Sequence, residues 1–299
     1  MAHPIDVLSS AAPTDETRLR VAAISFLNPA PLMWDFEHAP RADELATRYQ
    51  LATMRPAECA DALLAGRAGL GLIPIAALTP AMRIVPGCTI ASLDEVRSIQ
   101  LIVRGGLALD QVRTVAADIA SRSSLAYTEI LFRHFLGSSP KMLAAPADPI
   151  AMLAQADAAL LIGDPALLAL ERRAEIEAAA GLCTWIDIAS LWRESTGLPW
   201  VAAVWAVLPE ALAATNISAA QLTDDLNRSR EAGLAHIDDL VREWTPRIAV
   251  PTAVMRDYLT LNIHYTLDDA CLESILCMRR LAAGINILPE LSKLPMLLR

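Results

Sequence analysis

Between residues 19 and 207, short runs of apolar, largely β-branched residues alternate with segments of helical spacing. Few folds accommodate that alternation. Strands separated by helices pack into an α/β domain with largely parallel sheets. The pattern predicts strands over 19–26, 49–53, 69–75, 99–103, 112–116, 156–162 and 200–207. Helices are expected over 31–37, 56–66, 122–136 and 186–195. Pro56 opens the second of these and Gly66 is placed to end it, and Gly197 closes the last. Asp164-Pro165 reads as a helix start, with Asp164 as the N-cap and Pro165 in the first turn. Beyond residue 207 the chain reads as helical. There Leu267, Cys271, Ile275, Met278, Ala282 and Ile285 recur at spacings of four and three, which makes one buried stripe.

A change from strand–helix units to a helical C-terminus has an economical explanation. The chain begins one lobe, crosses near Ser98 to build a second, returns near 196–200, and packs its last helices back onto the first lobe. Residues 19–98 with 200–299 then form lobe 1 and residues 99–199 form lobe 2. Two crossings with a ligand cleft between the lobes describe a type II periplasmic-binding-protein-like fold. Residues 1–18 lack a basic start followed by an apolar run, and read as a loose tail rather than a secretory signal.

The 299 residues are 54% hydrophobic and 20% charged, ample for a sizeable core, and carry a formal net charge of −9. That acidic balance argues against nucleic acid or an anionic membrane as partner. A small organic anion remains possible through locally arranged donors. The longest charge-free stretch, 68–82, is broken by Pro74 and Pro80 and is too short for a membrane span, so a cytoplasmic location is expected. Five scattered cysteines without a C-x-x-C pair read as reduced thiols, and the histidines show no metal-ligand spacing.

Polar groups gather where predicted strands end, which is where open α/β sheets bind ligands. The first strand runs into Ser25-Phe26-Leu27-Asn28-Pro29-Ala30-Pro31-Leu32. The Asn28 amide offers two donors and an acceptor, enough to hold a hydroxyl and a carboxylate together; Asn-Pro is also an ordinary turn starter. Ser121-Arg122-Ser123-Ser124 sits at a predicted helix N-terminus, where hydroxyls, backbone N–H groups and the helix dipole favour an anion. Simple capping by Ser121 or Ser123 would use the same residues, and Arg122 could pair with a ligand carboxylate or with an acid nearby. Gly163-Asp164 lies on the crevice rim, Asp164 serving as a structural cap or as a base. Thr196-Gly197-Leu198-Pro199 shapes the second crossing, with Thr196 placed to line the cleft, and Trp34 lies close enough to Asn28 to be a candidate wall.

Those segments, together with Val96-Arg97-Ser98-Ile99-Gln100-Leu101, Leu160-Leu161-Ile162-Gly163-Asp164 and Trp192-Arg193-Glu194-Ser195, resemble the menaquinone-pathway chorismate dehydratase family of the futalosine route. The likeness covers residues 19–284. It implies a two-lobed cytosolic enzyme that converts chorismate to 3-[(1-carboxyvinyl)oxy]benzoate and water without metal or organic cofactor. It further implies that Asn28, Ser98 and Asp164 are the candidates for chemistry. The implied substrate contacts are Asn28, Ser98, Ser121, Arg122, Ser123, Ser124, Gly163 and Thr196. Ser123 stands where relatives usually carry Thr, Trp200 where Phe is usual, and Asp94-Glu95 where a Gly-Pro type pair is usual. Two rival readings stay open: the sister enzyme that forms the dihydroxynaphthoate ring, whose first-strand motif differs from Phe26-Leu27-Asn28-Pro29, and a module that binds an organic anion without chemistry.

Overall fold

The structure, a computed structural model, describes residues 18–298. Of the expected N-terminal tail only Arg18 falls within that range, and its guanidinium donates to the Ala46 carbonyl (3.3 Å). Eleven strands are present among the described residues. In chain order they are β1 (Leu19–Ile24), β2 (Tyr49–Met54), β3 (Leu70–Pro74), β4 (Arg83–Ser92), β5 (Ile99–Arg104), β6 (Thr114–Asp118), β7 (Lys141–Ala145), β8 (Ala158–Ile162), β9 (Cys183–Asp187), β10 (Trp200–Val207) and β11 (His264–Leu267). They form two sheets, ordered β11-β4-β10-β3-β1-β2 and β7-β6-β8-β5-β9. The first sheet draws its strands from residues 19–92 and 200–267, the second from residues 99–187.

The sheets are mixed, not largely parallel. β1 runs parallel to β2 and β3, and β6 parallel to β7 and β8. β10 is antiparallel to both β3 and β4, β11 to β4, and β5 to β8 and β9. The returning chain enters the first sheet in the opposite sense, which a reading of strand–helix alternation cannot reveal. The helix expected over 186–195 begins only at Ile188, because Cys183–Asp187 pairs as an edge strand against β5. The C-terminal stripe is real over Cys271, Ile275, Met278 and Ala282, all fully buried on the helix Asp269–Gly284. Leu267 belongs instead to β11. All five cysteines are free thiols. No helix among the described residues is long and apolar enough to cross a membrane.

Both crossings carry backbone into the interior, where unpaired N–H and C=O groups are costly. At the first, Arg97 adopts a left-handed φ of 61°, a conformation non-glycine residues avoid. The Asp187 carboxylate holds it there. Its Oδ2 accepts the Arg97 N–H (2.6 Å) and the Gln100 amide (3.1 Å), and its Oδ1 accepts the N–H groups of Val96 (3.3 Å), Ala189 (2.9 Å) and Ser190 (3.2 Å). One side chain thus caps the helix Ile188–Thr196 and pins the crossing. At the second, the Ser274 hydroxyl donates to the Pro199 carbonyl (2.5 Å) and accepts the Trp192 indole N–H (3.1 Å), while the Val201 N–H donates to Tyr127 (3.3 Å). The Tyr127 and Trp192 rings meet edge to face, 4.7 Å between centroids.

Asp187→Ala leaves those donors without an acceptor and is expected to destabilise the fold by about 3 kcal/mol or more. Thermal unfolding should register a Tm roughly 6 °C lower or worse. Glu95→Ala, an exposed neighbour, should sit within about 0.5 kcal/mol of the parent.

Candidate active site

A cleft enclosing about 460 Å³ of empty space, part of it open solvent, lies between the two sheets at the ends of β1, β5, β8 and β10. Its floor is apolar, built by Ile24, Ile90, Ile99, Ile162 and Trp200. The polar side chains in its wall are Asn28, Arg122, Ser123 and Ser124; no carboxylate, histidine or cysteine is among the lining residues.

Asn28 reaches the cavity because β1 stops at Ile24 and the chain turns before the helix Ala30–Glu37. That turn is docked onto lobe 2. The Leu27 N–H donates to Asp164 Oδ1 (2.9 Å), and the Phe26 ring lies over Gly163. Gly163 has φ +62°, and a Cβ there would come within 2.5 Å of the ring, so the close approach requires glycine. The Gly163 N–H in turn donates to the Ser98 carbonyl (2.7 Å). Asp164 is therefore not the N-cap. Ile162 holds that position, and Asp164 sits in the first turn of the helix Gly163–Glu171 with its carboxylate committed to the Asn28 turn. Burial pushes the Asp164 carboxyl up to about 6, against the pull of the Leu27 N–H.

The segment 121–124 divides by role. Ser121 Oγ accepts the Leu125 N–H (3.2 Å) and stays out of the cavity wall. Ser123 Oγ bridges the lobes, donating to the Ala202 carbonyl of β10 (2.8 Å) and accepting the Ala76 N–H (3.3 Å). Ser124 lines the cavity, its carbonyl accepting the Thr128 hydroxyl (2.8 Å). Arg122 reaches across to Asp61 on the helix Pro56–Leu64 (2.6 Å). Both partners are partly exposed, at 34% and 53%, so the pair contributes little and can be exchanged for a ligand anion.

Other expected site residues lie elsewhere. Thr196 is not in the wall: its hydroxyl donates to the Trp192 carbonyl (2.8 Å) and accepts the Leu198 N–H (3.2 Å) within the turn. Ser98 is buried at the first crossing behind the Asn28 turn. Asp94 and Glu95 are exposed and outside the wall, and Trp34 stacks between His38 and His236. Three residues that sequence reasoning missed support the site. Tyr265 donates to the Asn28 carbonyl (3.0 Å), and Tyr258 is buried facing the side chains of Ser98 and Asn28. Arg279, 1% exposed, donates to the carbonyls of Ala76 (3.0 Å) and Pro289 (2.9 Å), placing a cation behind the peptide that binds Ser123. Its only sequence signal is an arginine on the edge of an apolar helical stripe.

His264, Asp268 and Cys271 bring ligand-type atoms within 4.8 Å of one another, away from the cavity. Asp268 there caps the helix Asp269–Gly284 through the Cys271 N–H (2.8 Å) and pairs with His264 Nε2 (3.0 Å), which accounts for the grouping.

A family model described as menaquinone biosynthesis matches residues 19–284. A protein from Thermus thermophilus named chorismate dehydratase is 28% identical over 225 residues, covering 72% of this chain and 79% of that one. Among solved structures, protein AF1704 from Archaeoglobus fulgidus superposes with a TM-score of 0.70 at 13% identity, covering 92% of this chain and all (100%) of that one. The alkanesulfonate-binding protein SsuA from Xanthomonas axonopodis, bound to MOPS, gives 0.68 at 14% identity, covering 94% and 96%. The Candida albicans CA3427 product, described as having the generic periplasmic binding protein fold, gives 0.63 at 13% identity, covering 94% and 98%. The fold is that of the periplasmic binding proteins.

The two serines should separate on substitution. Ser123→Ala removes a bridge between lobes and is expected to lower the Tm by an amount equivalent to about 1 kcal/mol or more. Ser124→Ala should leave the Tm unchanged and reduce affinity for a carboxylate ligand about tenfold, the worth of one hydrogen bond to a charged group. Melting curves with and without chorismate read both quantities.

Proposed function

This chain belongs to the menaquinone biosynthesis family, and from that premise we propose that it dehydrates chorismate. The product is 3-[(1-carboxyvinyl)oxy]benzoate, and the reaction is a hydro-lyase step of the futalosine route, carried out in the cytoplasm without a cofactor. The observation that carries this reading is the lining of the cleft: an apolar wall edged by Asn28, Arg122 and Ser124 for carboxylates and a hydroxyl. The similarity to the Thermus enzyme supports the same substrate.

Chorismate loses the ring proton at its ether-bearing carbon and the neighbouring hydroxyl; the proton and hydroxide leave as water and the ring becomes aromatic. Aromatisation supplies the driving force, so a strong base is unnecessary. A general base must lie within hydrogen-bond reach of the proton it takes. The cavity wall offers amide, hydroxyl and guanidinium groups but no base, and this supports proton removal by a carboxylate of the substrate. Asn28 then holds the departing hydroxyl and one carboxylate, while Arg122 and Ser124 hold the other. Gly163 gives the wall its close approach, Ser121 supports the first helical turn, Ser123 ties it to Ala76 and Ala202, Ser98 backs the Asn28 turn, and Thr196 shapes the return crossing between lobes 99–199 and 19–98 with 200–299. Binding in the cleft supplies position and exclusion of water. Asp164 acts on the Asn28 turn rather than on the substrate.

Incubation with chorismate should produce the aromatic enol ether, read by mass and ultraviolet absorbance, at a rate insensitive to EDTA. Chorismate bound but returned unchanged would move the protein to the binding-module reading.

Asp164→Asn is expected to keep the rate within about tenfold of the parent, short of the 10²–10⁴-fold loss of a displaced general base. Its stability should also change with pH in a defined sense. The Asp164 carboxyl is raised from 3.8 to about 6 in the fold, so its contribution is complete below about pH 4 and is lost as pH rises through about 6. The parent's Tm should therefore fall relative to that of the variant across that window. A hundredfold loss of rate in Asp164→Asn would assign the base to Asp164.

A further inference from the structure

Two hydroxyls sit sealed behind the Asn28 turn without a hydrogen-bond partner, Ser98 Oγ and Tyr258 Oη. Ser98 is 1% exposed and Tyr258 fully buried. A buried hydroxyl that is not hydrogen-bonded lowers stability, so its retention at a candidate site points to use. Phenylalanine would fill the space of Tyr258 without that cost.

The backbone that carries Tyr258 is equally unusual. Tyr258–Asn262 forms a π-turn, closed by the Ile263 N–H to the Tyr258 carbonyl (3.1 Å), a feature that recurs at functional sites. From this turn and the strand after it, three side chains converge on the site. The Asn262 amide donates to the Glu95 carbonyl at the first crossing (3.1 Å), and the Tyr265 hydroxyl donates to the Asn28 carbonyl (3.0 Å). Tyr258 faces the side chains of Asn28 and Ser98.

An asparagine amide has an acceptor end and a donor end, and only one orientation presents N–H groups to an anion. We propose that Tyr258 is a positioning residue for Asn28, its hydroxyl donating to Asn28 Oδ1 so that the amide N–H groups face the substrate, with Ser98 Oγ completing the set. Burial, and the carboxylates of Asp164 and Asp187 nearby, push the Tyr258 hydroxyl well above its ordinary range, so it remains a neutral donor at every working pH. The inference rests on the dehydratase reading, in which Asn28 meets the departing hydroxyl.

The test compares Tyr258→Phe, Asn28→Ala and the double variant in the full chain, measuring Tm, kcat and KM with chorismate. For Tyr258→Phe the expected result is a Tm within about 3 °C of the parent's, because phenylalanine fills the same buried space and only one neutral hydrogen bond is lost. Its kcat should fall about tenfold or more with KM within about threefold, the pattern of an interaction made in the transition state. In the Asn28→Ala background the same change should alter kcat by less than about twofold, since it acts through Asn28. Ser98→Ala gives a second measurement of the cluster, with the same direction in kcat and no loss of Tm. A parent-like kcat in Tyr258→Phe overturns the proposal, as does a full additional loss in the double variant or a marked drop in Tm. A parent chain that leaves chorismate unchanged refutes the dehydratase reading and this inference with it. An active parent with an equally active Tyr258→Phe refutes the positioning role alone.

Discussion

The buried carboxylate of Asp187 is the fixed point on which the cleft depends. It accepts hydrogen bonds from Val96, Arg97, Gln100, Ala189 and Ser190, and so holds a left-handed residue at the first crossing. From there a continuous run of contacts leads to the ligand wall. Ser98, next to Arg97, gives its carbonyl to the Gly163 N–H; Gly163 supports the Phe26 ring; Asp164 takes the Leu27 N–H; and Asn28 follows. Each link joins segments far apart in sequence, and none relies on a flexible surface side chain. Buried polar groups that are fully paired rigidify what they connect. Asn28 is therefore positioned by Gly163 and Asp164 although it follows a strand of the other sheet.

That long-range logic explains which features could be read from the chain. β1, β3, β5, β8 and β10 are buried along most of their length, and each appears as an apolar run. β7 and β9 are partly exposed edge strands with weak patterning, β11 has only four residues, and β4 contains Pro86 and Gly87, residues that ordinarily signal a turn. Local chemistry was legible in the same way. Asn28 at a strand end and the serines of 121–124 stand out because their neighbours announce a turn or a helix start. Asp164 shows the converse. Asp-Pro is a strong local cap signal, yet its carboxylate bonds to a residue 137 positions away. The long-range partners of Asp187, Tyr258 and Arg279 are set by topology, so local sequence does not reveal them.

An acidic chain with a site suited to an anion poses an electrostatic problem, which the arrangement of charge resolves locally. The formal charge of −9 is spread over the surface, and Asp94 and Glu95 point into solvent rather than into the cavity. The wall carries Arg122, held by a weak surface pair that a ligand can replace. Behind it, Arg279 is buried and donates to two backbone carbonyls. Such a charge is poorly screened by solvent, and its field reaches the peptide that binds Ser123. Attraction thus comes from a few placed groups over short distances.

The combination of an apolar floor and neutral donors also limits the chemistry the cleft can perform unaided. Amides and hydroxyls orient a ligand and stabilise charge, but do not take a proton from carbon near neutral pH. Two carboxylates that support the site, Asp164 and Asp187, are both pushed up to about 6 by burial and both engaged with backbone N–H groups of the turns they support. Drawing either into proton transfer would release the turn that positions Asn28 or the crossing that carries Ser98. A ligand that brings its own carboxylate avoids that conflict. The protein's carboxylates can then remain structural while the reaction depends on how firmly the substrate is held, which is the task that the Asn28 turn, the 121–124 segment and the two crossings are built to perform.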